Sequence, residues 1–195
     1  TNSYHSDELE EIASAKAIRM AIKDNKDYHM ATPIEIKEPL FNNDLYPYLQ
    51  RILLTSDKKR LEEIFLVSEG IENLLIKNAY ENDTYEGFLS ASISRRYTRA
   101  RIQRICINII NNITKEEYKA LEPLNYVRVL GFNSKGREYL KQFRDREDFK
   151  IVTQFKNIPE SYKNIEWKVA NIYASYTSDR KAYLKQELRG PTIID

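Results

Sequence analysis

Little in this chain offers covalent or metal chemistry. Its 195 residues include one cysteine and two histidines. Cys106 excludes an intramolecular disulfide, and among isoleucines it reads as a small core residue in a reducing compartment. His5 and His29 both precede residue 40, with no thiol or carboxylate cluster at ligand spacing, so no metal site is expected. No serine stands in a nucleophile-elbow context, and no catalytic residue is expected in the chain. No run approaches 18 apolar residues and no signal peptide opens the sequence, so neither membrane nor export is expected and the cytoplasm is. A large excess of one charge is also missing. The formal net charge is +2, so a nucleic-acid reading has to rest on how charge is arranged. There is no internal repeat and no low-complexity tract. With 42% hydrophobic and 31% charged residues the composition is that of a soluble globular protein long enough to bury a core. A start at Thr1 without methionine reads as a chain trimmed from a longer protein.

What is present is an arginine-rich entry onto an apolar helix. Ser94 to Arg104 holds Arg95, Arg96, Arg99, Arg101 and Arg104 with no acid nearby in sequence, and the isoleucines follow. Thr98 is a natural N-cap, after which Ile102, Ile105, Cys106, Ile109 and Ile113 fall at the spacing of a core-facing helix. Arg101, Arg104, Asn108 and Asn111 line the opposite stripe; Arg95, Arg96 and Arg99 precede or open the helix and are the ones expected free for phosphate, while Arg101 and Arg104 are candidates to pair with acids of neighbouring helices such as Glu69 or Glu72. Guanidinium groups are always charged and fork their donors, which suits phosphate and planar bases. A solvated basic face is the plain alternative; the absence of acids favours a polyanion. Tyr97, between Arg96 and Arg99, could stack an unpaired base, though most tyrosines finish a core edge.

Elsewhere the patterning is mainly α. Ser14 can cap an alanine-rich helix, leaving its N–H groups and Arg19 for an anion. Pro33, Pro39 and Asn42-Asn43 mark a connector, with a domain boundary near residue 40. Apolar stripes follow at Leu45, Tyr48, Leu49, Ile52 and Leu53; at Leu61, Ile64 and Phe65; at Ile71, Leu74, Leu75 and Ala79; and at Tyr85, Phe88, Leu89 and Ile93. Short polar breaks between them fit a helical array. Thr114 to Glu117 has the capping-box pattern. The adjacent acids Glu62-Glu63 and Glu116-Glu117 read as solvated. Tyr126 to Leu130 predicts a strand, a helix carries Tyr139, Leu140 and Phe143, and Lys150 to Thr153 predicts a second strand, giving a small β-α-β element. Pro159 and Ser161 start a long helix with Ile165, Val169, Ile172, Tyr173 and Tyr176 on one side, and a last helix spans about 179–188. Gly131 and Gly136 sit like the outer glycines of a phosphate loop. Arg137-Glu138 replaces the required lysine and hydroxyl, so it is no Walker loop, but Lys135 and Arg137 at a helix start could still meet a backbone phosphate. A tight structural turn is the alternative.

Three segments together carry a resemblance. Ser68-Glu69-Gly70-Ile71-Glu72-Asn73, Arg96-Tyr97-Thr98-Arg99-Ala100-Arg101-Ile102-Gln103-Arg104-Ile105 and Tyr126-Val127-Arg128-Val129-Leu130-Gly131-Phe132-Asn133 resemble, in order and spacing, the C-terminal half of the bacterial tRNA(Met) cytidine acetate ligases. The arginine-rich segment is the specific one. Ala13 to Arg19 is similar to the serine-to-Ile-Arg motif that ends the family's nucleotidyltransferase-like N-terminal domain. The resemblance implies the last elements of an α/β nucleotidyltransferase-like domain at residues 1–40, with a connector, and a helical tRNA-binding domain at 41–195. It implies ATP-dependent activation of acetate to acetyl-adenylate, with magnesium as a candidate companion ion. Acetylation of N4 of the wobble cytidine of elongator tRNA(Met) would follow. Ser14 and Arg19 would lie near the ATP phosphates, and Arg95, Arg96, Tyr97, Arg99, Arg101, Arg104, Lys135 and Arg137 would meet tRNA rather than DNA. The histidine-containing nucleotide-binding motif of the family is absent, so the chain by itself is not expected to catalyse the reaction. Two other classes stay open: the helical module of another nucleotidyltransferase, serving as lid or oligomerisation element, and a non-enzymatic RNA- or protein-binding adaptor. The oligomeric state is left open.

Overall fold

The computed structural model describes residues 13–32, 35–143 and 148–193; His5 and Pro33 lie outside them. The chain divides into two compact units, residues 1–40 and 41–195. In the first, Ser14 Oγ accepts the Ala17 N–H at 3.0 Å and starts helix α1, Ala15–Lys23. Asn25, with φ 53°, closes it, and Lys26 N–H returns to the Ala21 carbonyl at 2.8 Å. The buried Tyr28 stacks on His29 and accepts the Ile36 N–H at 2.9 Å, so the expected connector has local order of its own.

The second unit is built on helices α2 (Asn42–Thr55), α3 (Lys58–Glu62), α4 (Ile71–Glu81), α5 (Tyr85–Ser92) and α6 (Arg99–Ile110). Apolar stripes at helical spacing close one core in which Leu49, Leu53, Leu75, Phe88, Ile102 and Ile105 are almost fully buried. Two stripes depart from expectation. Tyr46 rather than Tyr48 faces the core of α2, its hydroxyl donating to the Asn82 carbonyl at 2.7 Å. On α5 the buried Ser92 takes the inward position while Ile93 is exposed, because Ser92 Oγ accepts from Asn78 Nδ2 (3.0 Å) and donates to the Phe88 carbonyl (2.7 Å). A hydroxyl with both bonds made can be buried where an unpaired one could not.

Short helix α7 (Lys115–Lys119) begins with the anticipated capping box between Thr114 and Glu117. Glu117 is not simply solvated: Lys168 Nζ lies 2.5 Å from its carboxylate. A smaller core, Val152, Phe155 and Ile158, sits under strands β1 (Tyr126–Arg128) and β3 (Lys150–Val152), which pair in parallel as expected. The strand expected to reach Leu130 stops at Arg128. The next two residues of strand, β2 (Gly131–Phe132), pair in parallel with β4 (Thr192–Ile193), a partner that no local pattern announced. Helix α8 (Ser134–Lys141) lies between β2 and β3, and α9 (Glu160–Ala174) and α10 (Arg180–Glu187) follow. On α9 the buried positions are Ala170 and Ala174, and Val169 is exposed. Helix α10 packs along α9, with Tyr173 and Tyr183 stacked at 5.0 Å.

Candidate nucleic-acid interface

Two segments distant in sequence meet at the start of α6. Ser94 to Tyr97 forms a tight loop: Ser94 N–H donates to the Tyr97 carbonyl at 3.0 Å, and Tyr97 N–H to Ser94 Oγ at 3.2 Å. Thr98 then caps the helix by accepting the Arg101 N–H. Opposite lies the turn Ser68-Glu69-Gly70, where Glu69 and Gly70 both take left-handed φ, 59° and 78°. Left-handed backbone at a non-glycine residue costs on the order of 1 kcal/mol and survives where surrounding contacts enforce it. Here they do. Arg96 donates to the Glu69 carboxylate at 2.9 and 3.1 Å, Arg101 approaches it at 3.8 Å and donates to Ser68 Oγ at 3.4 Å. The Tyr97 hydroxyl reaches the Glu69 carbonyl at 3.5 Å.

This corrects which arginines stand free. Of Arg95, Arg96 and Arg99, which read from the sequence as the arginines free for phosphate, Arg96 has Glu69, and Arg99 holds Glu86 through two bonds of 2.9 Å. The acids come from the Ser68 turn and from α5, 27 and 13 residues away, which a local window cannot see. Arg101 does meet Glu69, as expected. Arg104 meets neither Glu69 nor Glu72; its Nε donates to the Ala100 carbonyl at 3.1 Å, and no carboxylate partners its guanidinium among the described residues. Arg95 is exposed and likewise unpartnered among them. Five arginines therefore face two carboxylates, and the segment stays electropositive. Tyr97 is not an open stacking platform. The residue is 7% exposed, with the Arg96 and Arg101 guanidiniums 5.6 and 5.1 Å from its ring centroid, so it anchors the arginines by cation–π contact.

The Gly131 to Arg137 segment is not a phosphate loop. Gly131 lies in β2, where a Cβ would come 3.1 Å from the Thr192 carbonyl oxygen, and Gly136 lies in α8, where a Cβ would meet that of Phe132 at 3.0 Å. Close packing explains both glycines. Asn133 Oδ1 takes the Gly136 N–H at 2.9 Å, Arg137 lies 5.8 Å from the Phe132 ring centroid, and Lys135 is exposed. Ser14 acts as a helix cap, and Arg19 is exposed on α1. A cap serine and one arginine suit a phosphate contact but do not amount to a nucleotide site.

One charged centre escaped the sequence reading. Arg128 donates to Glu166 (2.7 Å), to the Glu187 carboxylate (2.6 Å) and to the Glu187 carbonyl (2.9 Å), with the Phe155 ring 5.2 Å away. The Tyr126 hydroxyl donates to Glu166 at 2.6 Å, and burial together with this carboxylate raises its pKa. Tyr126 and Arg128 share one face of β1, and an arginine at an inward strand position was the available signal. Burial pushes the Cys106 thiol up to about 12, which makes it inert. Among the described residues no group of His, Cys, Asp and Glu is placed to hold a metal ion, and no helix is long and apolar enough to cross a membrane.

The profile of the family described as HIGH Nucleotidyl Transferase matches residues 1–187. The chain is similar to the tRNA(Met) cytidine acetate ligase of Oceanobacillus iheyensis, 32% identical over 211 residues, covering 99% of this chain and 53% of that protein. It is similar to the enzyme of the same name from Limosilactobacillus reuteri, 29% identical over 202 residues, covering 99% and 52%. The crystal structure of apo Thermotoga maritima TmcAL superposes with a TM-score of 0.76 at 20% identity, over 99% of this chain and 53% of that one. The same protein bound with alpha-thio ATP gives 0.74 at 22% identity, over 93% and 52%. These likenesses show a shared fold. The chain spans about half the length of the curated relatives it matches. The expected placement in their C-terminal half is not borne out by these matches.

Proposed function

The chain belongs to the HIGH nucleotidyl transferase family, and from that premise we propose that it is part of a tRNA(Met) cytidine acetate ligase and contributes mainly contacts to tRNA. In this reading the whole protein joins acetate to ATP as acetyl-adenylate with loss of pyrophosphate. The N4 amine of the wobble cytidine of elongator tRNA(Met) then attacks the acyl carbon and releases AMP. One observation carries the assignment of the RNA contacts: two of the three segments that bear the resemblance, Ser68 to Asn73 and Arg96 to Ile105, converge on one electropositive edge built from Glu69, Arg96, Arg101 and Tyr97.

The carboxylates do not disqualify that edge. Exposed ion pairs are worth about 0–1 kcal/mol, whereas a phosphate offers charge-assisted, forked hydrogen bonds to the same guanidiniums. Glu69 holds Arg96 and Arg101 in one orientation before RNA arrives, and Arg95 and Arg104 need release no acid. Lys135 and Arg137 extend the set if the RNA reaches α8. In the first unit, Ser14 at the positive end of α1 and Arg19, about a turn further along it, are the candidate contacts to an ATP phosphate. Residues 1–40 then belong with the nucleotide-binding part and residues 41–195 form the RNA-binding unit. Mass analysis of elongator tRNA(Met) for N4-acetylcytidine, in a strain lacking the parent gene and in the same strain complemented, tests the reading. Unaltered N4-acetylcytidine without the gene would end it.

A further inference from the structure

Below the arginine edge, α6 presents a second surface that the phosphate reading does not use. A cavity of about 380 Å³ opens between α6, the start of α2, the start of α5 and the chain just after α3. Its floor is apolar: the rings of Phe65 and Tyr85, and Ile107, which is 43% exposed. Its rim is polar and comes from consecutive turns of α6, Gln103 with Arg104 and then Asn108, joined across the opening by Asn42. The wall at Leu66 is held at φ 71°, a conformation that a leucine adopts only when its surroundings enforce it.

The chemistry of this lining is selective. The side-chain amides of Asn42 and Asn108 make no hydrogen bond among the described residues, so each offers a donor and an acceptor side by side. Arg104 is the one arginine of α6 whose guanidinium has no carboxylate among the described residues, and it stands on the same rim. An apolar floor edged by amides, with a guanidinium that has no carboxylate beside it, complements an aromatic heterocycle that carries donors and acceptors on its edge and a phosphate next to it. An apolar protein side chain would leave the amides unsatisfied, and a bare phosphate would leave the aromatic floor unused.

Resting on the tRNA reading above, we propose that this cavity receives one unpaired nucleobase of the bound RNA, with Asn42 and Asn108 on the base edge and Arg104 on the adjoining phosphate. It separates α6 into a phosphate-holding N-terminal turn and a base-holding middle.

Two probes test it on the chain as it stands: an elongator tRNA(Met) transcript, and a single-stranded RNA hexanucleotide carrying one 2-aminopurine. Ile107→Trp fills the cavity at a half-exposed position without changing charge, and Asn108→Ala removes one edge partner; both are checked for an unchanged melting temperature. Wild-type chain is expected to quench 2-aminopurine emission, and both variants to lose the quench. Their tRNA affinity should fall on the order of 10-fold, the scale of one lost base contact, while the slope of log affinity against log salt stays as it was. Arg104→Ala should lower that slope by about 0.7–0.9. If tRNA binds and neither variant weakens it, the cavity is no base subsite although the tRNA reading stands. A quench lost in both variants, in a chain that does not bind tRNA, keeps the subsite and removes the tRNA reading. Binding of neither probe overturns both. Displacement of the hexanucleotide by ATP, with tRNA affinity untouched in the variants, assigns the cavity to a free nucleotide and overturns the proposal.

Discussion

At the scale of single residues, the consequences of a substitution follow from what each side chain touches. Ile105 is fully buried, so Ile105→Ala removes apolar area and leaves a cavity. A loss of about 2–5 kcal/mol in a urea titration is expected. Cys106, on the next position of α6, should resist thiol reagents until the protein unfolds, because burial holds its pKa near 12 and thiolate is the reactive form. Arg96 behaves differently. It is 60% exposed, and its ion pair contributes little to stability. Arg96→Ala should therefore leave the melting temperature in place, while tRNA affinity falls and the salt slope shrinks by about 0.7–0.9. Retention of both affinity and slope in a combined Arg95, Arg96 and Arg99 alanine variant would make this loop scaffold.

At the scale of elements, two charged centres tie the β layer and the late helices into the second unit. Arg128 joins β1 to α9 and α10 through Glu166 and Glu187. Removing the cation leaves two carboxylates facing each other in a half-buried place, so Arg128→Met should destabilise by a few kcal/mol. Amides of β1 and α10 should exchange faster in that variant than those of α2 and α6. The second centre is Glu117, which links α7 to α9. Burial raises its pKa, but the Lys168 ammonium and the Thr114 N–H outweigh burial and hold it below the usual glutamate range. A carboxylate whose folded pKa lies below its unfolded one contributes stability above the unfolded value, and that contribution is lost as pH falls through the folded pKa. Melting temperatures of wild type and Glu117→Gln should differ at neutral pH and converge as pH falls from the ordinary glutamate pKa of about 4.3 through the lowered folded one. A difference independent of pH would show that Glu117 acts by packing alone.

For the whole molecule, a net charge of +2 leaves no strong long-range field, so the salt dependence of RNA binding should be set by the local arginine edge and vanish with it. Duplex DNA of similar length should bind more weakly than tRNA if single-stranded features are read as well as phosphates. Much of the architecture was open to reading from the chain. Helical spacing marked the stripes of α2, α4, α5 and α6, Thr98 and Thr114 marked the starts of α6 and α7, and the change of period marked β1 and β3, because each depends on neighbours within a turn or a strand. The arginines of Ser94 to Arg104 were visible for the same reason. Their partners were not: Glu69, Glu86 and the β2 to β4 pairing belong to contacts across the chain, and a local pattern carries no information on which distant acid or strand edge will arrive. The sequence by itself determined which segments are helical, which faces are apolar and where positive charge is dense. Tertiary structure alone decided which charges are neutralised, that Tyr97 is buried as an anchor, that Gly131 and Gly136 serve close packing, and that α6 carries a cavity beside Arg104. Each of those depends on a distance between residues far apart in the chain.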